Sequence, residues 1–240
     1  PTLHGSLYGG GENGHVYHDA SVMMYSGKVG NPDEYYAYRG NVYGAGCGTD
    51  MYYSSSIPDG HTAHDGAGDK YNLIAGIVKG NATVTINGGD VANNVYGAGS
   101  MGKVEGSTSV TINTNGAIGV DGAPEGGNVY GAARGELDLK ENHLIPDADD
   151  PHNYSSVTNS SVTITKGTVR GSVYGGGKAG VVNGKVEVQL DGGTVAHDVY
   201  GGGALAQTNT AYAAGSEPAN TYNTTVNLAG TTITGDLYGG

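Results

Sequence analysis

The stretch Thr83-Val84-Thr85-Ile86-Asn87-Gly88-Gly89-Asp90-Val91-Ala92-Asn93-Asn94-Val95-Tyr96-Gly97-Ala98-Gly99 decides the fold. Polar and apolar residues alternate from Thr83 to Ile86, the period of a strand with one buried face. Asn-Gly-Gly ends that run, Asp90-Val91 is a short second strand, and Val95-Tyr96 forms a third between turn residues. The same order recurs along the chain. A Val or Leu followed by Tyr-Gly occurs seven times, at Tyr8, Tyr43, Tyr96, Tyr130, Tyr174, Tyr200 and Tyr238. The alternating element is repeated in Ser109-Val110-Thr111-Ile112, Ser161-Val162-Thr163-Ile164, Lys185-Val186-Glu187-Val188 and Thr225-Val226-Asn227-Leu228. The short middle element recurs in Ala117-Ile118, Thr168-Val169, Thr194-Val195 and Thr232-Ile233.

Successive tyrosines of the motif are 35, 53, 34, 44, 26 and 38 residues apart, so 26 residues is the irreducible unit. A four-stranded propeller blade needs about 40 residues. Twenty-six suit one coil of a three-sided parallel β-helix, whose apolar face is buried only when coils stack. The spacing therefore predicts an all-β parallel β-helix (β-solenoid) of three short strands per coil and about seven coils. The residues in excess follow mainly the Tyr-Gly strand, with the prominent inserts at 46–70, 135–154 and 204–222. These inserts should project from one edge of a single solenoid, where variable loops make a recognition surface.

Composition agrees with this reading and excludes others. Of 240 residues 46 are Gly and 14% are charged, against about a quarter in ordinary globular chains. All 18 aromatic residues are Tyr, with no Phe and no Trp, so tyrosine has a repeated structural role. The net charge of −12 excludes a phosphate-binding surface and hence nucleic acid. No apolar run approaches the length of a membrane-spanning helix, and no membrane insertion is expected. The single cysteine, Cys47, cannot close an intrachain disulfide. A chain that starts at Pro1 and stops within Leu237-Tyr238-Gly239-Gly240 is expected to be part of a longer array, or to be covered by subunits stacked end to end.

The pairing of Thr83 to Gly89 with Asn94 to Gly99 resembles the Tyr-Gly repeat arrays of large adhesin-like surface proteins in gut bacteria of the Bacteroidetes type. The resemblance covers nearly the whole chain apart from the three inserts. It implies a secreted or surface-attached β-helix, often a segment of a much longer protein, and it brings no catalytic residues with it.

Several sets of residues invite a chemical reading. Alternation places Val or Leu inward and Tyr outward, so the seven tyrosines should form a file about 4.8 Å apart, the strand spacing of a sheet. Such a file either packs on itself or stacks against sugar rings or another protein. Outward Thr and Ser at Thr83, Thr85, Ser109, Thr111, Thr163 and Thr165 form a second file, the pattern of ice-binding faces, which Lys185, Glu187, Gln189 and Asn227 interrupt. Asp147, Asp149 and Asp150, like Asp59, Asp65 and Asp69, are weak calcium candidates matching no known calcium loop. His15 with His18, and His61 with His64, lack a third zinc ligand. Asp198 and Asp236 could align like the carboxylates of a β-helical glycosidase. They stand, however, where other copies carry Ser6, Asn41, Asn94, Asn128 and Ser172, so a small polar residue is needed there for turn or strand reasons.

The expected function is a non-catalytic structural and adhesive segment of an extracellular bacterial surface protein or fibre. Its expected partners are neighbouring repeats or subunits, with a host or microbial glycan or protein at the loops, and no cofactor is required. The alternative is a carbohydrate-active lyase or hydrolase domain, as in phage tail spikes.

Overall fold

The computed structural model describes residues 1–31, 39–48, 51–52, 70–71, 75–123, 125–136, 155–213 and 221–239. Among these the chain is all-β, without a helix, and its two large sheets are parallel. The calcium candidates Asp147, Asp149, Asp150, Asp59, Asp65 and Asp69, together with His61 and His64, lie outside the described residues.

The seven-stranded sheet is built wholly from the Val/Leu-Tyr pairs, in chain order from Leu7–Tyr8 to Leu237–Tyr238. Its register is strict. Val95 pairs with Val42 and Val129, and Tyr96 with Tyr43 and Tyr130. The eleven-stranded sheet joins the two other elements of the repeat. Val22, Val84, Val110, Val162, Val188 and Val226 are one another's partners in turn along it. In two places the elements run together, giving the long strands Thr108–Ile118 and Ser160–Val169 with an irregularity where they join. Coil-on-coil stacking of parallel strands in sequence order is thus the architecture.

The reason is visible in the burial. Val42, Val95, Val129, Val173 and Val199 from one sheet and Ile86, Ile112, Ile164 and Leu190 from the other are fully buried in a single core cluster. Each such side chain contributes about 1.5–3 kcal/mol, and a lone coil could not enclose it. Smaller residues fill a second cluster, in which Ala45, Ala98 and Ala132 meet Val78, Val104, Val157 and Val182. Those valines belong to a rung that alternation does not reveal, because it consists of single-residue bridges: Val16 to Val78 to Val104, and Val157 to Val182 to Thr208.

Glycine after each Tyr follows from the stacking distance. A Cβ on Gly97 would collide with the Gly131 carbonyl, one on Gly131 with Gly175, and one on Gly44 with Gly97. None of the three needs a positive φ, so the requirement is space for the next coil.

Two expectations are corrected. The strand at 186–190 is shifted by two residues from the motif alignment: Val186 pairs with Ser160, and Glu187-Val188-Gln189-Leu190 lies on Ser161-Val162-Thr163-Ile164. Val186 is apolar where its partners are Ala82, Thr108 and Ser160, which blurred the pattern. Consequently Ser161 and Thr163, not Thr165, continue the outward Thr file. Insertion, expected mainly after the Tyr-Gly strand, also occurs before it. Val91 and Val95 are four residues apart, but 119–127 intervenes between Ile118 and Val129, and 30–40 between Val29 and Val42. Both departures are pinched by glycines with positive φ: a Cβ on Gly119 would lie 2.6 Å from the Gly127 Cα, and one on Gly30 2.6 Å from the Gly40 Cα. Within the 46–70 insert, Met51–Tyr52 pairs antiparallel with Lys70–Tyr71.

The Gly file gives a direct test. Gly97→Ala forces a backbone shift in two adjacent coils and should cost at least about 1–3 kcal/mol. Gly14→Ala, where nothing lies within 4 Å of the added carbon, should leave the thermal midpoint unchanged. Equal midpoints for the two variants would contradict the stacking.

Candidate functional site

The seven tyrosines form one continuous stack. Ring centroids from Tyr8 to Tyr43, and on to Tyr96, Tyr130, Tyr174, Tyr200 and Tyr238, are separated by 4.6, 5.0, 4.8, 4.9, 5.0 and 4.9 Å, with planes within 10° of parallel. This is the rung spacing of a sheet carried into the side chains. The rings leave the Val core as alternation requires, but they are not an exposed platform. Tyr43, Tyr96 and Tyr130 are 1%, 2% and 5% exposed and form a buried cluster of their own. Each ring's two faces are covered by the rings above and below, so an inner tyrosine offers no face to a sugar. Along their edges Tyr8, Tyr174 and Tyr200 are half-buried, and the terminal Tyr238 is 47% exposed.

Two polar files border the stack. The first is the residue two before each Tyr, and its purpose is now explicit. Its side-chain oxygen accepts the backbone N–H of its own equivalent in the next coil. Ser6 Oγ accepts from Asn41 at 3.1 Å, Asn41 Oδ1 from Asn94 at 3.0 Å, and Asn94 Oδ1 from Asn128 at 2.9 Å. Asn128 Oδ1 accepts from Ser172 at 2.8 Å, Ser172 Oγ from Asp198 at 3.3 Å, and Asp198 Oδ1 from Asp236 at 2.8 Å. Amide side chains stiffen the ladder further, since Asn128 Nδ2 also donates to Asn94 Oδ1. Buried backbone N–H groups at the turn thereby find partners, without which each would cost about 1–3 kcal/mol.

Asp198 and Asp236 are rungs of this ladder. Their other oxygens accept from the Tyr200 and Tyr238 hydroxyls at 3.0 and 3.2 Å. The backbone N–H of Asp236 holds the Asp198 carboxyl below its ordinary value, the Tyr200 hydroxyl adding to it. A depressed carboxyl is unsuited to general acid work. A similar ladder explains two of the four Asn-x-Ser/Thr sequons: Asn81 Oδ1 accepts from Ser107 N–H and Asn159 Oδ1 from Lys185 N–H.

The second file lies four residues after each Tyr. Backbone hydrogen bonds carry it from Cys47 to Ser100, Arg134, Lys178 and Ala204 in successive coils. The Tyr8 phenol meets Cys47, and the Tyr43 phenol meets Ser100, the residue one coil on. A phenol therefore has a polar neighbour at its tip, which accounts for Tyr rather than Phe. Burial, reinforced by Tyr43 and Cys47, pushes the Tyr8 phenol well up, and burial pushes Tyr43 up to about 12. Tyr200 rises to about 12 through its bond to Asp198.

Beside the stack is a groove of about 780 Å³, which the sequence reading missed. Tyr96, Tyr130, Asn94 and Asn128 line it from the solenoid, Arg134 and Lys178 from the second file, and Asp121 and Glu125 from the 119–127 loop. Arg134 is held by Ser100 Oγ and Glu136 Oε2, each at 3.2 Å, and Arg170 by Asp121 Oδ1 at 3.0 Å. The signal that would have found it is the widened gap between Ile118 and Val129. His18 is paired with Asp19 at 3.1 Å, and among the described residues no cluster of three metal-ligating side chains occurs. No protein-family model, no curated protein and no solved structure matches the chain.

The stack makes stability sensitive to alkali. A phenol whose folded pKa lies above its unfolded value contributes stability that is fully present below the unfolded pKa and lost as pH rises through the folded one. Unfolding free energy should hold up to about pH 10 and fall between 10 and 12, the window set by Tyr43. Denaturant titrations followed by circular dichroism at pH 9, 10.5 and 12 measure it. A flat profile across that window would show that the rings titrate as free phenols.

Proposed function

We propose that the chain is a stiff, non-catalytic segment of an extracellular bacterial surface protein or fibre, serving as stalk and display scaffold. In this reading the solenoid has three short strands per coil and about seven coils, giving roughly 30 Å of rod at one rung of about 4.8 Å per coil. The observation that supports it most is the unbroken run of like-on-like contacts, in Val, Tyr, Gly and Asn/Ser files alike, from Leu7–Tyr8 to Leu237–Tyr238. Such a stack resists shear and bending along its length because every coil is locked to its neighbours by backbone pairs and side-chain files at once. The reading agrees with the adhesin-like resemblance of the repeat. It treats Asp198 and Asp236 as structural, since the Asp198 oxygens are engaged by the Asp236 N–H and the Tyr200 hydroxyl, and one Asp236 oxygen by the Tyr238 hydroxyl.

The partners proposed first are further coils of the same kind, from neighbouring repeats or a second copy. At one end of the stack Leu228 is 57%, Leu237 40% and Tyr238 47% exposed, and at the other Leu3 is 41% exposed. These are the positions that inner coils bury, and an open strand edge beside them invites pairing.

Sedimentation of the 240-residue chain over a range of concentrations tests this. Reversible end-to-end association is expected, weakened in Leu228→Lys, whose charge would sit on the rung-to-rung surface. A compact monomer at every concentration would contradict the end-to-end reading. Release of reducing ends from a panel of polysaccharides would instead favour a lyase or hydrolase.

A further inference from the structure

We propose that the groove between the 119–127 loop and the Tyr96–Tyr130 section of the stack is a binding site for a neutral, hydroxyl-rich oligosaccharide. Its volume, about 780 Å³, falls within the range of about 300–1,000 Å³ typical of ligand sites. Its lining departs from that of an apolar ligand pocket, because carboxylates, guanidiniums and amides converge on it from three directions.

The arrangement of those groups selects the ligand. Arg134 and Arg170 are each fixed by a carboxylate, Glu136 and Asp121, yet a guanidinium has five N–H donors and a carboxylate about four acceptor positions. The Arg170–Asp121 pair therefore presents spare donors beside spare acceptors. A vicinal pair of sugar hydroxyls, each both donor and acceptor, is the complement of that pattern. Arg170 Nε is also shut away from solvent with no hydrogen-bond partner, so a shift that keeps the Nη1 bond to Asp121 lets Nε gain a ligand oxygen as partner.

Charge argues for a neutral ligand. Three acidic residues (Asp121, Glu125, Glu136) face three basic ones (Arg134, Arg170, Lys178), which leaves the groove balanced in a chain of net charge −12. An anionic saccharide would gain nothing from the groove and be repelled by the molecule as a whole. Shape argues for a chain of sugar units, since the groove follows successive rungs from Asn94 and Asn128 to Ser172 and is open to solvent along its side. Rigidity comes from the stack itself: the floor residues are rungs of the hydrogen-bonded ladder, so little ordering cost remains to oppose binding. The buried rings contribute their edges and not their faces, which distinguishes this site from an aromatic sugar platform.

The test is calorimetric titration of the full chain with xylotetraose, cellotetraose, mannotetraose and maltotetraose, and with tetragalacturonate as the charged counterpart. At least one neutral tetrasaccharide should bind, and Asp121→Ala with Glu125→Ala should weaken it by at least about tenfold. Both residues are exposed on the loop. Should that variant fail to fold, Lys178→Gln, exposed on the opposite wall, serves in its place. Asp191→Ala, exposed and absent from the groove lining, should leave the affinity unchanged. Absence of binding by every neutral tetrasaccharide, binding of tetragalacturonate alone, or affinity indifferent to both groove variants would overturn the proposal. The stalk reading stands or falls separately, on association rather than sugar binding.

Discussion

Each strand of the two parallel sheets stacks on its own equivalent one rung away, and most of what is unusual in the molecule follows from that constraint. Only side chains that tolerate themselves as neighbours can repeat along a file. Valine packs on valine, phenol stacks on phenol, asparagine accepts a hydrogen bond from the asparagine coil beyond it, and glycine leaves room for the next carbonyl. Charges do not share this property, because like charges directly opposite one another on paired strands repel. The low charged fraction of 14% is therefore a property of the stacking and not of any ligand. Where charge does enter a rung it is paired or spent, as Lys185 with Glu187 at 2.9 Å or Asp198 within the ladder.

The constraint also shows which parts of the structure were legible. The Val-Tyr-Gly strands could be read because three conspicuous residues recur together, and their predicted register on one face is the observed one. The rung through Val78, Val104 and Val182 left no pattern, since a single bridge residue has no alternation to detect. Val186 misled the alignment because its position tolerates Ala, Thr, Ser or Val equally, all being small enough for the narrow second core. The tyrosines were expected outside the Val core, as they are, and the sequence left open whether the file packs on itself or offers a binding face; the inner rings pack on one another. Burial here depends on the run of chain after each Tyr, where Cys47, Ser100 and Arg134 form a file only when coils are superposed. Side-chain identity at those positions varies, so no motif announces it.

Function divides along the same line. The files are uniform and mechanical, and they account for stiffness along the axis. Variation is left to the corners, where the chain departs from and returns to the stack between glycines such as Gly119 and Gly127. The groove arises at one such corner, where a loop faces cationic members of an otherwise neutral file. A rigid scaffold with variable corners can change its ligand without disturbing its core. The polar residues of the ladder from Ser6 to Asp198 are the means by which turn N–H groups are satisfied.

The account stands on cooperative coil-on-coil pairing, and amide hydrogen exchange followed by mass spectrometry tests that most directly. Peptides spanning Val95–Tyr96, Val129–Tyr130 and Val173–Tyr174 should exchange together and slowest, through global unfolding. At concentrations where the chain sediments as a monomer, protection should fall toward Leu7–Tyr8 and Leu237–Tyr238, each of which has one strand partner in the sheet. Independent exchange of the three central peptides at different rates, or protection at the ends equal to that in the middle, would contradict a single register-locked stack.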